Sequence, residues 1–393
     1  MIYVIDEKIL SAINSEKHLD RAIELNDYLA NNPELGGKEY NSSKHIVELL
    51  KDYGLSVEYP FAGLDTSFKA SIKGRSTNGP KVCILTEYDA LPDIGHGCGH
   101  CASGSISVLA GLILNDLKDS FDGQIDIVGT PDEEATGKKV FMAEAGVFNE
   151  YDYAIMIHMF NRNMVNAKFL ALNSYRIEFF GKTTHAAASP WEGKNALNAA
   201  QLFFHATDMM RQHVKPDIRL HGIIKDGGTA ANVVPDYTMS EFYIRGNSSS
   251  YTDEITEWVK DCAKGAAMST RTEEKITELA PPFRDLSSNS YAENTLEKIF
   301  NFYGLETSEI GEAEGSSDVG AVDQICPTFH PMICVNKNMT LHTREFAGEM
   351  LKESGHNAIG NGGKIIATFV MKTFLDPELL KNIKEEHKKS KVI

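Results

Sequence analysis

Cysteine, tryptophan and positive charge are all scarce in this sequence, and each scarcity excludes something. The six cysteines, at positions 83, 98, 101, 262, 326 and 334, are scattered through 393 residues. That spacing excludes a disulfide-stapled secreted scaffold. A cysteine with a special task is then a ligand or a nucleophile. Lysine and arginine number 39 against 55 aspartates and glutamates, a formal charge of −16, with no basic block ahead of the stretch Lys381 to Lys391, which reads as a solvated tail. A surface of that sign repels nucleic acid and anionic membranes, so neither is an expected partner. Long hydrophobic runs are also missing: stretches such as Ile106 to Leu114 are too short to span a bilayer. The opening MIYVIDEKIL lacks the basic start and continuous apolar core of a signal peptide, which sets the expectation of a cytoplasmic protein.

What is present is alternation. Leu19, Ala22, Ile23, Leu25 and Leu29 recur at helical spacing ahead of Pro33, and Ile46, Val47, Leu49 and Leu50 mark a second helix ending at Gly54. Strands are expected at 67–72, 81–87, 124–129 and 153–158, with a helix at 105–117. Strand alternating with helix predicts an α/β domain, a mixed, mostly parallel sheet covered by helices. The pattern then changes to strand 174–180, helix 196–213, strands 219–224 and 238–245, helix 254–267 and strand 275–279. This β-α-β-β-α-β order predicts a ferredoxin-like α+β unit, complete in itself, at residues 173–280. The larger domain, 1–172 and 281–393, is then discontinuous, resuming with a helix at 291–303, a strand at 329–335 and a helix at 364–374.

The residues with chemical potential gather at strand ends. The run EYDALPDIGHGCGHCAS, residues 87–103, places Asp89, His96, Cys98, His100 and Cys101 just beyond a strand, where open α/β sheets hold their ligands. Glycines at 95, 97 and 99 let the backbone turn so that Cys98 and His100 reach one point. Cys98-Gly-His-Cys101 also fits a redox pair, but histidines interleave the thiols and the chain is far longer than a thioredoxin-like fold. A structural zinc site needs a second Cys/His pair at finger spacing, which the sequence lacks. In GTPDEE, again after a strand, Glu133 and Glu134 are adjacent carboxylates that point different ways. One can bind metal while the other moves protons, although such a pair alone is usually a solvated turn. His158 ends the apolar IMIH and His342 lies in LHT. A lone buried histidine is usually structural; several strand ends, each offering donors suited to first-row metals, point to a shared metal site.

These residues carry a resemblance. NPELG, EYDALP, GHGCGH, GTPDEE, IMIH, GKTTHAAASPWEGKNAL, GGTAANVVP, GSSDVG and LHT, in order along most of the chain, resemble the aminoacylase/carboxypeptidase family of dinuclear metallopeptidases. Within it, the chain is most similar to the amidohydrolase branch with a cysteine ligand, the group of p-aminobenzoyl-glutamate hydrolase and the β-alanyl dipeptidases. The resemblance implies two divalent ions, with Cys98, His100, Glu134, His158 and His342 as ligands and the Cys98 thiolate between the ions. It implies Glu133 as general base and Asp89 as support for the metal shell, and gives His96 no ligand role. It makes the inserted unit a lid and dimerisation domain whose His185 reaches the active site of the other protomer and steadies the oxyanion. Asn232 would hold substrate, and Arg245 is a weaker candidate for a carboxylate clamp. The implied reaction is hydrolysis of the amide bond of a small N-acyl amino acid, aminobenzoyl-glutamate-like compound or dipeptide, and the donor set does not separate zinc, manganese, cobalt and nickel. Two departures bear on substrate: Cys101 follows CGH where the family has Asn or Asp, and Met159 follows IMIH where proline is common. Competing readings are a catalytically silent metal-binding homodimer and a thiol redox protein using Cys98 and Cys101.

Overall fold

Valine- and isoleucine-rich sextets form the middle of the larger sheet. KVCILT makes β3 (Lys81–Thr86) and QIDIVG makes β4 (Gln124–Gly129), each buried beyond its first residue. Burial on both faces is what a central parallel strand requires. The computed structural model describes residues 5–313 and 315–391. The chain divides into two units, the larger comprising Met1–Lys168, Leu286–Glu312 and Asp318–Ile393 and the smaller Phe169–Asp285 with Ala313–Ser317.

In the larger unit β3 runs parallel to β4 and to β5 (Tyr153–Ile155), which in turn runs parallel to β11 (Thr328–Phe329). β1 (Ser56–Glu58) and β2 (Lys69–Lys73) add antiparallel strands, giving the order β1-β2-β4-β3-β5-β11. The helix His100–Asp116 is buried from His100 through Leu114 and has Gly99 at φ 85° as its N-cap. It begins five residues before the expected helix because GHCASG masks the apolar period, so His100 and Cys101 sit on a helix turn, not in a loop. The helix Glu353–Leu375 approaches it closely: a Cβ on Gly362 would lie 2.5 Å from Ile106 Cδ1.

Two expected strands are each broken in two. β6 (His158–Phe160) and β12 (Met332–Cys334) pair in a separate parallel ladder. Pro331, without an N–H, interrupts the second stretch and accepts the N–H of His158 at 3.0 Å. The expected solvated tail is also corrected: Pro377–Ser390 is a helix, capped by Asp376 and burying Leu380, Ile383 and His387 on one face. Among the described residues no helix is long and apolar enough to cross a membrane.

The smaller unit consists of β7 (Ala171–Phe180), the helix Ala196–Met210, β8 (Arg219–Asp226), β9 (Tyr237–Gly246), the helix Ser249–Thr270 and β10 (Glu273–Phe283). All its pairings are antiparallel, in the order β10-β7-β9-β8, the ferredoxin-like arrangement. Along β9 buried and half-buried residues alternate without a break. The buried face meets Phe179, Phe203, Ile255 and Val259 in an apolar core.

Candidate metal centre

The ends of three strands in the larger unit converge. Glu87 and Asp89 follow β3, Glu133 and Glu134 follow β4, and His158 opens β6 just beyond β5. Two of the supporting turns use left-handed backbone at non-glycine residues, Asp132 at φ 57° and His342 at φ 62°. Such conformations persist only where the surroundings over-determine them. Here Asp132 donates its N–H to Glu39 Oε1 at 2.8 Å and accepts from the Thr136 hydroxyl. His342 donates its N–H to the carbonyl of Gly97 at 2.8 Å, which ties LHT to the GHGCGH turn.

The side chains then meet. Cys98 Sγ lies 3.5 Å from His158 Nε2, and His158 Nδ1 donates to the carbonyl of Met159 at 2.7 Å, so Nε2 presents its lone pair to the thiol. His100 Nδ1 is 2.8 Å from Asp89 Oδ1, and the other Asp89 oxygen accepts the N–H of Glu134 at 3.0 Å. One aspartate thus orients both a histidine and the acidic turn. His342 Nε2 stands 3.8 Å from Glu134 Oε1. Cys98, His100 and His158 form one set of potential donors within 4.8 Å of one another, and Cys98, Glu134 and His342 form another. The two sets share the Cys98 sulfur.

Electrostatics favour a cation here. Burial, with His100 and His330 nearby, pushes His158 down to about 3, so its ring is neutral and able to donate a lone pair. Burial alone would also discharge His100, but Asp89 and Glu87 outweigh it and favour a positive charge at that ring. Burial, Asp318 and Glu87 lift the Glu133 carboxyl well above the ordinary glutamate range. His100 Nε2 and Glu134 Oε1 are buried and make no hydrogen bond among the described residues. Buried polar atoms are rarely left unbonded. A thiol, imidazoles and carboxylates are donors that first-row divalent metals accept, so the residues fit such an ion.

Other singled-out residues lie elsewhere. The Cys101 side chain packs into the apolar core, while its N–H donates to His96 Nδ1 at 3.2 Å. That placement sets Cys101 apart from the donor sets, and burial holds His96 down to about 4 as a neutral acceptor. His185 and Asn232 are exposed residues of the smaller unit on neighbouring segments, joined by the Ala186 N–H to the Asn232 carbonyl at 3.0 Å. His185 Nδ1 accepts from the N–H groups of Ala187 and Ala188, so a neutral ring carries its proton on Nε2. Arg245, on β9, is half-buried and donates to Ser316 Oγ at 3.3 Å. Glu87, Lys139 and Asp318, to which no sequence pattern gives a role, are brought together by the fold beside Glu133. Glu87 and Asp318 lie within motifs already noted; a lysine at 139 carries no sign in sequence that it is buried.

Metal donors and a paired carboxylate beyond the strand ends of an α/β sheet define a metal-dependent hydrolase. The model of Peptidase family M20/M25/M40 matches residues 83–345, well over half of the chain. The chain belongs to this family and is a hydrolase of amide or peptide bonds. It is 30% identical to Xaa-Arg dipeptidase of Mus musculus over 91% of this chain and 86% of that protein. To the p-aminobenzoyl-glutamate hydrolase of Escherichia coli strain K12, in one of its component chains, it is 25% identical over 95% and 93% respectively. In fold it resembles the YXEP protein of Bacillus subtilis, described as a dinuclear metal binding peptidase, with a TM-score of 0.69 at 18% identity over 91% of this chain and all of that one.

Proposed function

We propose that the chain cleaves the amide bond of a small N-acyl amino acid, an aminobenzoyl-glutamate-like compound or a dipeptide. The observation that carries this reading is the meeting of two donor sets at Cys98 with Glu133 beside them. Cys98, His100, Glu134, His158 and His342 would hold two divalent ions, for which zinc, manganese, cobalt and nickel all suit the donors. The ions, when bound, supply Lewis acidity. Glu133 takes the proton of the attacking water and returns it to the leaving nitrogen, and its raised proton affinity suits it to the second half of that task. Asp89 fixes the tautomer of His100 and the height of the acidic turn.

The smaller unit acts as lid and dimerisation domain of a homodimer. His185 of the partner subunit donates from Nε2 to the developing oxyanion, Asn232 holds the substrate, and Arg245 clamps a substrate carboxylate. The substrate classes are supported by relatives named for Xaa-Arg dipeptides and for p-aminobenzoyl-glutamate. Six cysteines without a disulfide suit a reducing, cytoplasmic setting. The test is Glu133→Ala, assayed with metal analysis on p-aminobenzoyl-glutamate, β-alanyl dipeptides and N-acyl amino acids. Turnover should fall by about 10²–10⁴-fold with metal content intact. Turnover at the wild-type rate would sink the assignment.

A further inference from the structure

Lys139 has no exposed surface, although it stands in the first turn of the short helix Lys138–Glu144. Lysine is almost never buried without charged partners. Its ammonium lies 2.6 Å from Glu87 Oε1 and 2.7 Å from Asp318 Oδ1, and its main-chain N–H donates to the other oxygen of Asp318 at 2.9 Å. Asp318 therefore grips both the head and the root of this lysine. Glu87, Glu133 and Asp318 offer carboxylate oxygens within 4.8 Å of one another. Two of them, Glu87 and Asp318, are buried and Glu133 is half-buried, and carboxylates that close are held together by a cation among them or by protons that they retain. Among the described residues the ammonium pairs with Glu87 and Asp318 and not with Glu133. Glu87 Oε2 is in turn 3.4 Å from His100 Nε2, so the lysine reaches the donor set through Glu87.

We propose that Lys139 is a positioning residue of the amide-cleaving centre: its ammonium is the resident cation of the Glu87, Glu133 and Asp318 nest. It immobilises two of the carboxylates and leaves Glu133 alone able to move a proton. This rests on the role given to Glu133 above. A cation tethered to the chain, unlike a bound ion, cannot be lost to a chelator, so the charge on this side of the centre stays fixed. A lysine that only neutralises buried charge would sustain the fold and leave the chemistry alone, and the two roles separate experimentally.

The test is Lys139→Ala in the metal-loaded protein, with ethylammonium added as the missing head group and tetramethylammonium, which has no N–H, as control. Without amine, kcat should fall about 100-fold, the scale of a misplaced group, with KM within about threefold of wild type and metal content unchanged. Ethylammonium should restore much of kcat and raise the Tm of the variant, since a ligand that binds only the folded state stabilises it. It should do neither to the wild type, and tetramethylammonium should do neither to the variant. The proposal is overturned if Lys139→Ala keeps wild-type kcat, if ethylammonium raises Tm without restoring kcat, or if it changes neither. The Tm arm does not depend on the reaction, and an error about Glu133 shows separately as turnover by Glu133→Ala. Should Lys139→Ala not fold, Asp318→Asn, which leaves the ammonium paired with Glu87, carries the test. A kcat lowered about tenfold or more at unchanged KM and metal content supports the proposal, and an unchanged kcat overturns it.

Discussion

The core of the smaller unit is built from Ile177, Phe179, Phe203, Phe242, Ile244 and Val259, and its candidate functional residues His185 and Asn232 are exposed. The larger unit instead buries Glu87, Asp89, His100, Lys139, His158 and Asp318 beside its strand ends. Buried charge is costly unless it is paired. In the larger unit much of it is paired, His100 Nδ1 with Asp89 and Lys139 with Glu87 and Asp318, while His100 Nε2 makes no hydrogen bond among the described residues. Stability in the smaller unit therefore resides in ring packing. In the larger unit, part of the interior is reserved for chemistry.

The largest expected effect that sharpens this contrast is on stability. Phe203 is fully buried and packs against Phe179, Phe204 and Phe242. Phe203→Ala should lower stability by about 3–5 kcal/mol in denaturant unfolding. Metal content per folded chain should not change. Loss of metal from the folded variant would break the separation between the units.

A smaller effect tests a buried charge of the larger unit that is not among the donor sets. The Asp323 carboxylate accepts from the Ser287 N–H at 3.0 Å and lies 2.7 Å from Lys391 Nζ and 3.3 Å from His387 Nε2. Burial alone would raise its proton affinity, but the His387 hydrogen bond and the Lys391 charge outweigh it and hold the carboxyl below the usual aspartate range. A carboxyl depressed in the folded state adds stability above its unfolded pKa, near 4, and that stability is lost as pH falls through the folded value. Asp323→Asn should therefore cost about 1–3 kcal/mol at neutral pH. The two melting curves should converge in acid; a difference that persists unchanged at low pH would contradict this assignment.

Sequence pattern and structure diverge for physical reasons. Burial alternates along β9 and over part of β7 but not along β8 or β10, so the ferredoxin-like unit was readable from the order of its elements, and strand-end position made Cys98, His100, Glu133 and Glu134 readable, because glycine turns and apolar runs bracket them. The start of the helix at His100 was hidden by polar and small residues that are buried all the same. The breaks at 156–157 and 330–331 were hidden because apolar runs continue through them; only Pro331 marks one. The C-terminal helix was hidden by its lysines, although Leu380, Ile383 and His387 share its buried face. Lys139 and Asp318 are 179 positions apart and meet only in three dimensions. His185 and Asn232 came into view through resemblance alone, since exposed polar residues impose no period on a sequence.

The central claim is that one sulfur joins two donor sets into one centre. It is tested most directly by measuring metal content and turnover of Cys98→Ser, since that thiol belongs to both the set with His100 and His158 and the set with Glu134 and His342. The account predicts that the bound metal falls from two ions per chain to one or fewer, with turnover falling alongside it. Full occupancy together with wild-type turnover in Cys98→Ser would contradict it.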